Sequence, residues 1–380
     1  MAGRIVLFGA TGYTGRLTAE AMLERGLRPV LAARSPERLE ELAEQLGGGL
    51  EIAVADVSDP LSVSALVERG DVLVTTVGPF ERFGSPAAAA ASTAGAHYLD
   101  TAGEPAFIRE VFERYGRAAD RAGSGMLTAF GFDWVPGNLA GALALQRAGD
   151  EAVRVDIGYF LLGSSPVLSG GTMASLVRVV SGAGFAFRDG RVSIERGGKR
   201  VRSFPVGDRT REAFSVATSE HFALPRVAAQ LREVNTYVGW VGPLARSVQL
   251  ASVGLKAPGA GRLVRAVGER VVKGSTGGPD AESRVKSGSQ VVALAYDGAG
   301  GRLAEVHLDG VNAYTFTGRI LAWGAERAAG GGLQGTGALG PVDGFGAVAL
   351  TDGCAWAGLS EEGGSRTASG ASKPAHAALD

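Results

Sequence analysis

The residues best placed to do chemistry lie in the first third of the chain. Gly9-Ala10-Thr11-Gly12-Tyr13-Thr14-Gly15 spaces three glycines three apart, between an apolar β-branched run and an amphipathic stretch. Gly9 allows a tight turn, Gly12 lets a bulky anion approach the backbone, and Gly15 lets helix and strand pack closely. Free N–H groups at the helix start then face the anion. The pattern predicts a cradle for the pyrophosphate of a dinucleotide, with Thr11, Tyr13 and Thr14 among its contacts. About 20 residues further on, at the end of the second apolar run, such sites commonly place an acid on the ribose hydroxyl. This chain has Ala33-Arg34-Ser35 there instead. A guanidinium suits a 2′-phosphate, and Arg38 stands one helical turn on, so the expected cofactor is NADP. Asp56, after the third apolar run, is expected on the adenine side, with a helix-leading loop aspartate as the other reading.

These residues need elements that hold them at one rim. Apolar runs at 5–8, 29–33, 52–55, 72–77, 98–99 and 126–129 predict six strands. Between them, capped amphipathic stretches predict helices: 13–25 closed by Gly26, one opened by Ser35-Pro36 and closed by Gly47, one from Asp59-Pro60 to Gly70, then 85–94 and 104–122. Parallel neighbours need helical crossovers, so the fold class is α/β, with an N-terminal Rossmann doubly wound parallel sheet over residues 1–149.

From Val153 the pattern becomes strand-like alternation. Asp189-Gly190 and Gly197-Gly198 are hairpin signals, and further strands are expected at 214–222, 234–240, 290–296 and 302–308. Helices are expected from Thr172 and at 243–256, 262–272 and 312–329. Residues 150–330 thus form a second α+β substrate domain, 331–360 a C-terminal segment returning to the Rossmann domain, and 361–380 a disordered tail.

Composition excludes several classes. The chain has 380 residues, a net charge of −1 and one cysteine, Cys354. There is no global basic footprint for nucleic acid, and no disulfide framework or cysteine zinc site. The four histidines have no ligand spacing, so no metal is expected. No run approaches the ~20 apolar residues that cross a bilayer, and strand-like residues from Arg4 leave no room for a leader, so a cytoplasmic location is expected. Charge is uneven, however: residues 1–149 are net −5 and residues 150–330 net +7. A basic second half suggests an anionic substrate, small or carrier-linked. The run Arg196, Lys199, Arg200 and Arg202 reads equally as a charge-protected edge strand, which is the favoured reading.

Further motifs follow in order: Val77-Gly78-Pro79-Phe80, Phe83-Gly84-Ser85-Pro86, His97-Tyr98-Leu99-Asp100-Thr101-Ala102-Gly103-Glu104 and Gly131-Phe132-Asp133-Trp134-Val135-Pro136. With the glycine loop, this series resembles the saccharopine dehydrogenase-like oxidoreductases, a family that includes trans-acting enoyl reductases. The likeness is dense over residues 4–140 and thins to Gly170-Gly171-Thr172 beyond. It implies that Gly78, Pro79 and Phe80 meet the nicotinamide end of the cofactor, and that Asp133 lies at the mouth between two domains. Tyr98 and Asp133 are the candidates for donating or positioning a proton. Alternation puts Tyr98 and Asp100 on one strand face and His97 on the other. The resemblance implies an NADPH-dependent reductase delivering hydride to an activated C=C bond, on a polyketide or acyl chain. Reduction of C=N is the close alternative. A non-catalytic, lipid-associated dinucleotide binder, touching membranes peripherally through 241–272, is the alternative of another class. Oligomeric state stays open, with a homodimer as one option.

Overall fold

The computed structural model describes residues 3–163, 183–239 and 277–362. In the first part, short strands alternate with helices: β1 (Ile5–Phe8), α1 (Tyr13–Glu24), β2 (Val30–Ala33), α2 (Pro36–Gln45), β3 (Ile52–Val54), α3 (Pro60–Ser64), β4 (Val72–Thr75), α4 (Phe80–Phe83), α5 (Ser85–Ala94), β5 (His97–Asp100), α6 (Pro105–Glu110), α7 (Gly116–Ala122), β6 (Gly125–Leu127) and α8 (Val135–Ala148). In the second part come β7 (Arg154–Leu162), β8 (Ala183–Arg188), β9 (Arg191–Arg196), β10 (Val201–Val206), β11 (Arg209–Val216), α9 (Glu220–Val227), β12 (Glu233–Val238), α10 (Ala281–Val285), β13 (Gly288–Tyr296) and β14 (Arg302–Val311). The described chain closes with α11 (Ala313–Ala329), β15 (Gly337–Ala338), α12 (Pro341–Phe345), α13 (Ala347–Ala357) and β16 (Leu359–Glu361).

The first sheet is parallel throughout, in the order β15-β6-β5-β4-β1-β2-β3. β1, β2 and β4 are buried along their whole length, as strands covered on both faces must be. Strand order reverses between β1 and β4, and the loops leaving these strands open the crevice where ligands of such sheets bind. Local chemistry sets the helix starts: Ser35 accepts the Arg38 N–H at 3.4 Å ahead of Pro36, and Asp59 accepts the Leu61 N–H at 3.1 Å ahead of Pro60.

The second sheet is mixed, in the order β10-β11-β12-β7-β13-β14-β16, with the β8–β9 hairpin joined to β12. β12 runs parallel to β7, and β13 and β14 run antiparallel beside it. α11 then returns to pack along α1, where Arg25 pairs with Glu326, and β15 adds a seventh strand beside β6.

Several elements depart from the sequence-based reading. The helix expected to reach Gly70 ends at Ser64, and 104–122 is divided by a π turn at Val111–Tyr115. β6 stops at Leu127, not 129, because Ala129 adopts a left-handed conformation (φ 59°) and gives its N–H to Asp100. α8 was not anticipated. The Asp189-Gly190 turn joins paired strands, but Gly197-Gly198 does not: β10 pairs with β11 through a turn at Gly207-Asp208. The strand expected over 214–222 ends at Val216, and Glu220 opens α9. Glu361, expected in the tail, ends β16 and pairs with Arg147. The expectations for Gly170-Gly171-Thr172, for the helices from Thr172 and at 243–256 and 262–272, and for the tail from 363 lie outside the described residues. Among the described residues, no helix is long and apolar enough to cross a membrane.

Candidate active site

The glycine loop between β1 and α1 folds as its spacing requires. Gly9 has φ 89°, and a β-carbon there would meet Thr76 Oγ1 at 2.7 Å. A β-carbon on Gly15 would stand 2.1 Å from the Gly9 carbonyl oxygen, so any side chain would push α1 off the loop. No side chain caps the first turn of α1, which leaves its N–H groups to an anion. Thr11, Gly12 and Thr14 sit in this cradle. Tyr13 does too, but its side chain is committed elsewhere: the phenol donates to the Pro279 carbonyl, accepts from Arg284 at 3.1 Å, and the ring meets Tyr314 edge-on at 5.3 Å. Tyr13 thereby ties the loop to the second half of the chain.

No acid ends β2. Arg34 and Arg38 are exposed, and neither forms an ion pair among the described residues. The Arg38 guanidinium reaches back to the Thr11 carbonyl at 3.5 Å. Asp56 lies close by. Its carboxyl accepts the Ser58 N–H at 2.8 Å and hydroxyl at 2.7 Å, which hold it below the usual carboxylate range, with a smaller contribution from Arg34. A cradle with glycine at its three closest points, followed by two exposed guanidiniums without an ion pair among the described residues, fits a dinucleotide carrying a 2′-phosphate.

From the glycine loop, contacts lead along the rim. Thr76 donates to the Gly9 carbonyl at 3.2 Å, and Gly78 and Pro79 follow on the same loop. Phe80 is buried, its ring tilted on Phe107 at 5.6 Å, so its place is in the core, not against a cofactor. Its N–H donates to Glu104 Oε1 at 3.0 Å, and Glu104 Oε2 accepts the Gly103 N–H at 3.1 Å. A β-carbon on Gly103 would lie 3.4 Å from Asp133 Oδ2. Asp133 therefore lies beside Gly103, and Glu104 links that position to the loop that starts at Gly78.

Asp133 keeps partial access to solvent, and its carboxyl has no hydrogen-bond partner among the described residues. Burial, with the Glu104 charge nearby, pushes it up to about 7. Glu104 itself is raised by burial. Asp100 anchors the two loops that carry this pair: its Oδ1 accepts the N–H of Ala102 at 2.8 Å, the N–H of Ala129 at 2.7 Å and the Thr128 hydroxyl at 3.1 Å. Burial lifts Asp100 to about 6.

Tyr98 is different. It shares the β5 face with Asp100, as alternation requires, but is fully buried in the body of the first domain. Burial, with Asp100 beside it, pushes its phenol well above the usual range. A side chain so enclosed does not meet a substrate at the rim, and the alternation argument missed this because it gives a face and not a depth. His97 points the other way and accepts the Gly125 N–H at 3.0 Å.

Residues that sequence reasoning passed over complete the site from the second half. Phe132 gives its N–H to Thr317 of α11 at 3.0 Å. Tyr159 of β7 packs its ring edge-on against Phe132 and Trp134, at 5.7 and 5.1 Å. Its hydroxyl meets Glu220 of α9 at 2.6 Å. Three members of the basic run pair with acids: Lys199 and Arg200 with Glu195, and Arg202 with the buried Asp156. β10, which carries Arg202, is an edge strand.

A doubly wound sheet with a glycine cradle at its switch point, and a second sheet reaching the same rim, define a two-domain dinucleotide-binding protein. Residues 5–127 match the saccharopine dehydrogenase NADP binding domain. A Mycobacterium tuberculosis protein named as a trans-acting enoyl reductase is 40% identical over 187 residues, covering 47% of this chain and 44% of the relative. The trans-acting enoyl reductase of Mycobacterium ulcerans is 38% identical over 152 residues, covering 39% and 36%. These matches span less than half the length of either relative. Among solved structures, homospermidine synthase of Legionella pneumophila in complex with NAD aligns with a TM-score of 0.63 at 12% identity, over 95% of this chain and 91% of that one. Saccharopine dehydrogenase of Saccharomyces cerevisiae aligns with a TM-score of 0.57 at 12% identity, over 92% and 96%. Both share the fold.

Proposed function

We propose that the protein is an NADPH-dependent reductase in which Asp133 supplies the proton. The observation that carries this is the Asp133 carboxyl: partly accessible, without a hydrogen-bond partner among the described residues, raised to about 7, and linked through Gly103 and Glu104 to the loop from Gly78 to Phe80. A group titrating near the working pH is best placed for general acid catalysis. The bound cofactor supplies hydride. The chain does the rest. The α1 N-terminus and glycine cradle bind the pyrophosphate, Arg34 and Arg38 take the 2′-phosphate, and Glu104 fixes the loop from Gly78 to Phe80. Asp100 holds the Asp133 loop.

The reading favoured for the acceptor is an activated C=C bond, supported by the activity named for the relatives. A C=N acceptor is the second reading, supported by Asp133, whose partly accessible carboxyl, when ionised, suits a positively charged iminium. NADPH oxidation against enones, enoyl thioesters and imines separates the two. Asp133→Asn is expected to lower kcat about 100-fold on the accepted class while leaving NADPH binding in place. Activity within about threefold of wild type would remove Asp133 from the role.

A further inference from the structure

The Tyr159 hydroxyl is the most heavily engaged polar atom at the domain junction. It accepts the Gly137 N–H at 2.7 Å, lies 3.1 Å from the Trp134 carbonyl and 2.6 Å from Glu220 Oε1. A phenol has one proton to give and two lone pairs to accept with. If Glu220 were ionised, the single Tyr159 proton would have to serve two acceptors, Glu220 and the Trp134 carbonyl. If Glu220 carries the proton, every contact is met at once: Gly137 N–H and Glu220 O–H donate to the phenol oxygen, and the phenol donates to Trp134.

The surroundings agree. Tyr159 and Glu220 are both fully buried, and among the described residues no cation pairs with Glu220. The groups facing it are Tyr159 from β7, Asp133 from the loop before α8, and Thr218 at the start of its own helix; its neighbour His221 is itself held neutral by burial, at about 4. Burial and the Asp133 charge both favour the protonated form, lifting Glu220 to about 7. A β-carbon on Gly137 would stand 2.2 Å from the Tyr159 hydroxyl and 2.4 Å from Glu220 Oε1, so the first turn of α8 is shaped around the pair. Asn138 doubles the tie, donating to the Trp134 carbonyl at 2.9 Å and to Ser219 at 3.1 Å.

We propose that Glu220, as a neutral carboxylic acid, and Tyr159 form a clamp from the second domain that positions Asp133 by gripping Trp134 and Gly137 on either side of the bend into α8. Both are positioning residues, and the proposal rests on the reductase reading only for the effect on turnover. When Glu220 ionises, Tyr159 turns its proton to the carboxylate and releases Trp134. The Asp133 loop is then looser, and Asp133 faces a new negative charge.

The test uses the full chain and Tyr159→Phe, Glu220→Gln and Glu220→Ala. Glutamine keeps a donor for the Tyr159 oxygen, so Glu220→Gln is expected to stay within about twofold of wild-type kcat at pH 6. Tyr159→Phe, which keeps the ring contacts, and Glu220→Ala are expected to lose about tenfold in kcat with the NADPH KM changed less than about twofold. The alkaline limb of the rate is expected to be steeper than one ionisation in wild type and a single ionisation in Glu220→Gln. Infrared spectra, which need no turnover, are expected to show a protonated carboxyl band at pH 6 that Glu220→Gln lacks. Absence of any such difference overturns the neutral acid, whatever the reaction proves to be. Glutamine as impaired as alanine, or Tyr159→Phe at wild-type rate, overturns the clamp. If wild type oxidises NADPH with no acceptor, the reductase reading fails while the infrared result still decides the protonation state.

Discussion

At the scale of a single residue, Arg34 is the side chain proposed to select the cofactor. It stands where an acid would otherwise hold a ribose hydroxyl, is exposed, and forms no ion pair among the described residues, so its charge is available to a 2′-phosphate. A charge-assisted contact contributes about 1.5–3 kcal/mol, which corresponds to roughly ten- to hundred-fold in affinity. Arg34→Ala is therefore expected to weaken NADPH binding by about that factor and leave NADH binding within about twofold, as read by fluorescence titration of both. Equal affinities for the two cofactors in wild type would remove the assignment. Among the polar candidates, the reach of sequence reasoning was uneven. Asp133 was legible because its motif places it in a loop after a strand. Glu220 and Tyr159 were not: Tyr159 lies in an apolar run, Glu220 in the polar stretch Thr218-Ser219-Glu220-His221, and only tertiary folding brings them 2.6 Å apart.

Elements in the first domain were legible because their signals are local. Glycine, proline and cap residues mark most of its strand and helix ends, although α3 stops at Ser64, well short of Gly70, and α8 was not read from them. β15 left no such trace: two residues, Gly337 and Ala338, carry no period, and only the edge of β6 makes them a strand. Glu220 was read as strand because Phe214 to Val216 alternate, and the change to helix depends on packing against α8. Asp100 links two elements, since its Oδ1 takes donors from the loops after β5 and β6 and holds Ala129 at φ 59°, a conformation costing about 1–2 kcal/mol for a residue with a β-carbon. Asp100→Ala strands these buried donors and frees the strained turn. It is expected to destabilise the protein by about 3 kcal/mol in urea unfolding, and to lower kcat more than NADPH affinity because the Asp133 loop is the one released. A loss under about 1 kcal/mol, with kcat unchanged, would show that the loops hold themselves.

For the whole molecule, the junction gathers carboxyls from both domains, and this has a measurable cost. Burial lifts Asp100 to about 6 and Asp133 and Glu220 to about 7, each from an ordinary value near 4. Between the unfolded and folded values the native state binds more protons than the unfolded chain, so these groups lower stability as pH rises from about 4 to about 7, and the full loss remains above that. Asp133→Asn and Glu220→Gln remove an ionisation without removing the side chain. Relative to wild type, each is expected to gain on the order of 2 kcal/mol on going from pH 5 to pH 8, as one pKa unit corresponds to about 1.4 kcal/mol. Urea midpoints at the two pH values measure this. Because the Asp133 charge raises Glu220, the double variant is expected to gain less than the two single gains added together. Strict additivity would mean that the carboxyls act separately. A pH-independent offset would mean that both are already ionised in the folded protein at pH 5, so that neither is raised by burial. If the gain at pH 8 accompanies the loss of turnover in Asp133→Asn, the same carboxyl that limits stability is the one that does the chemistry.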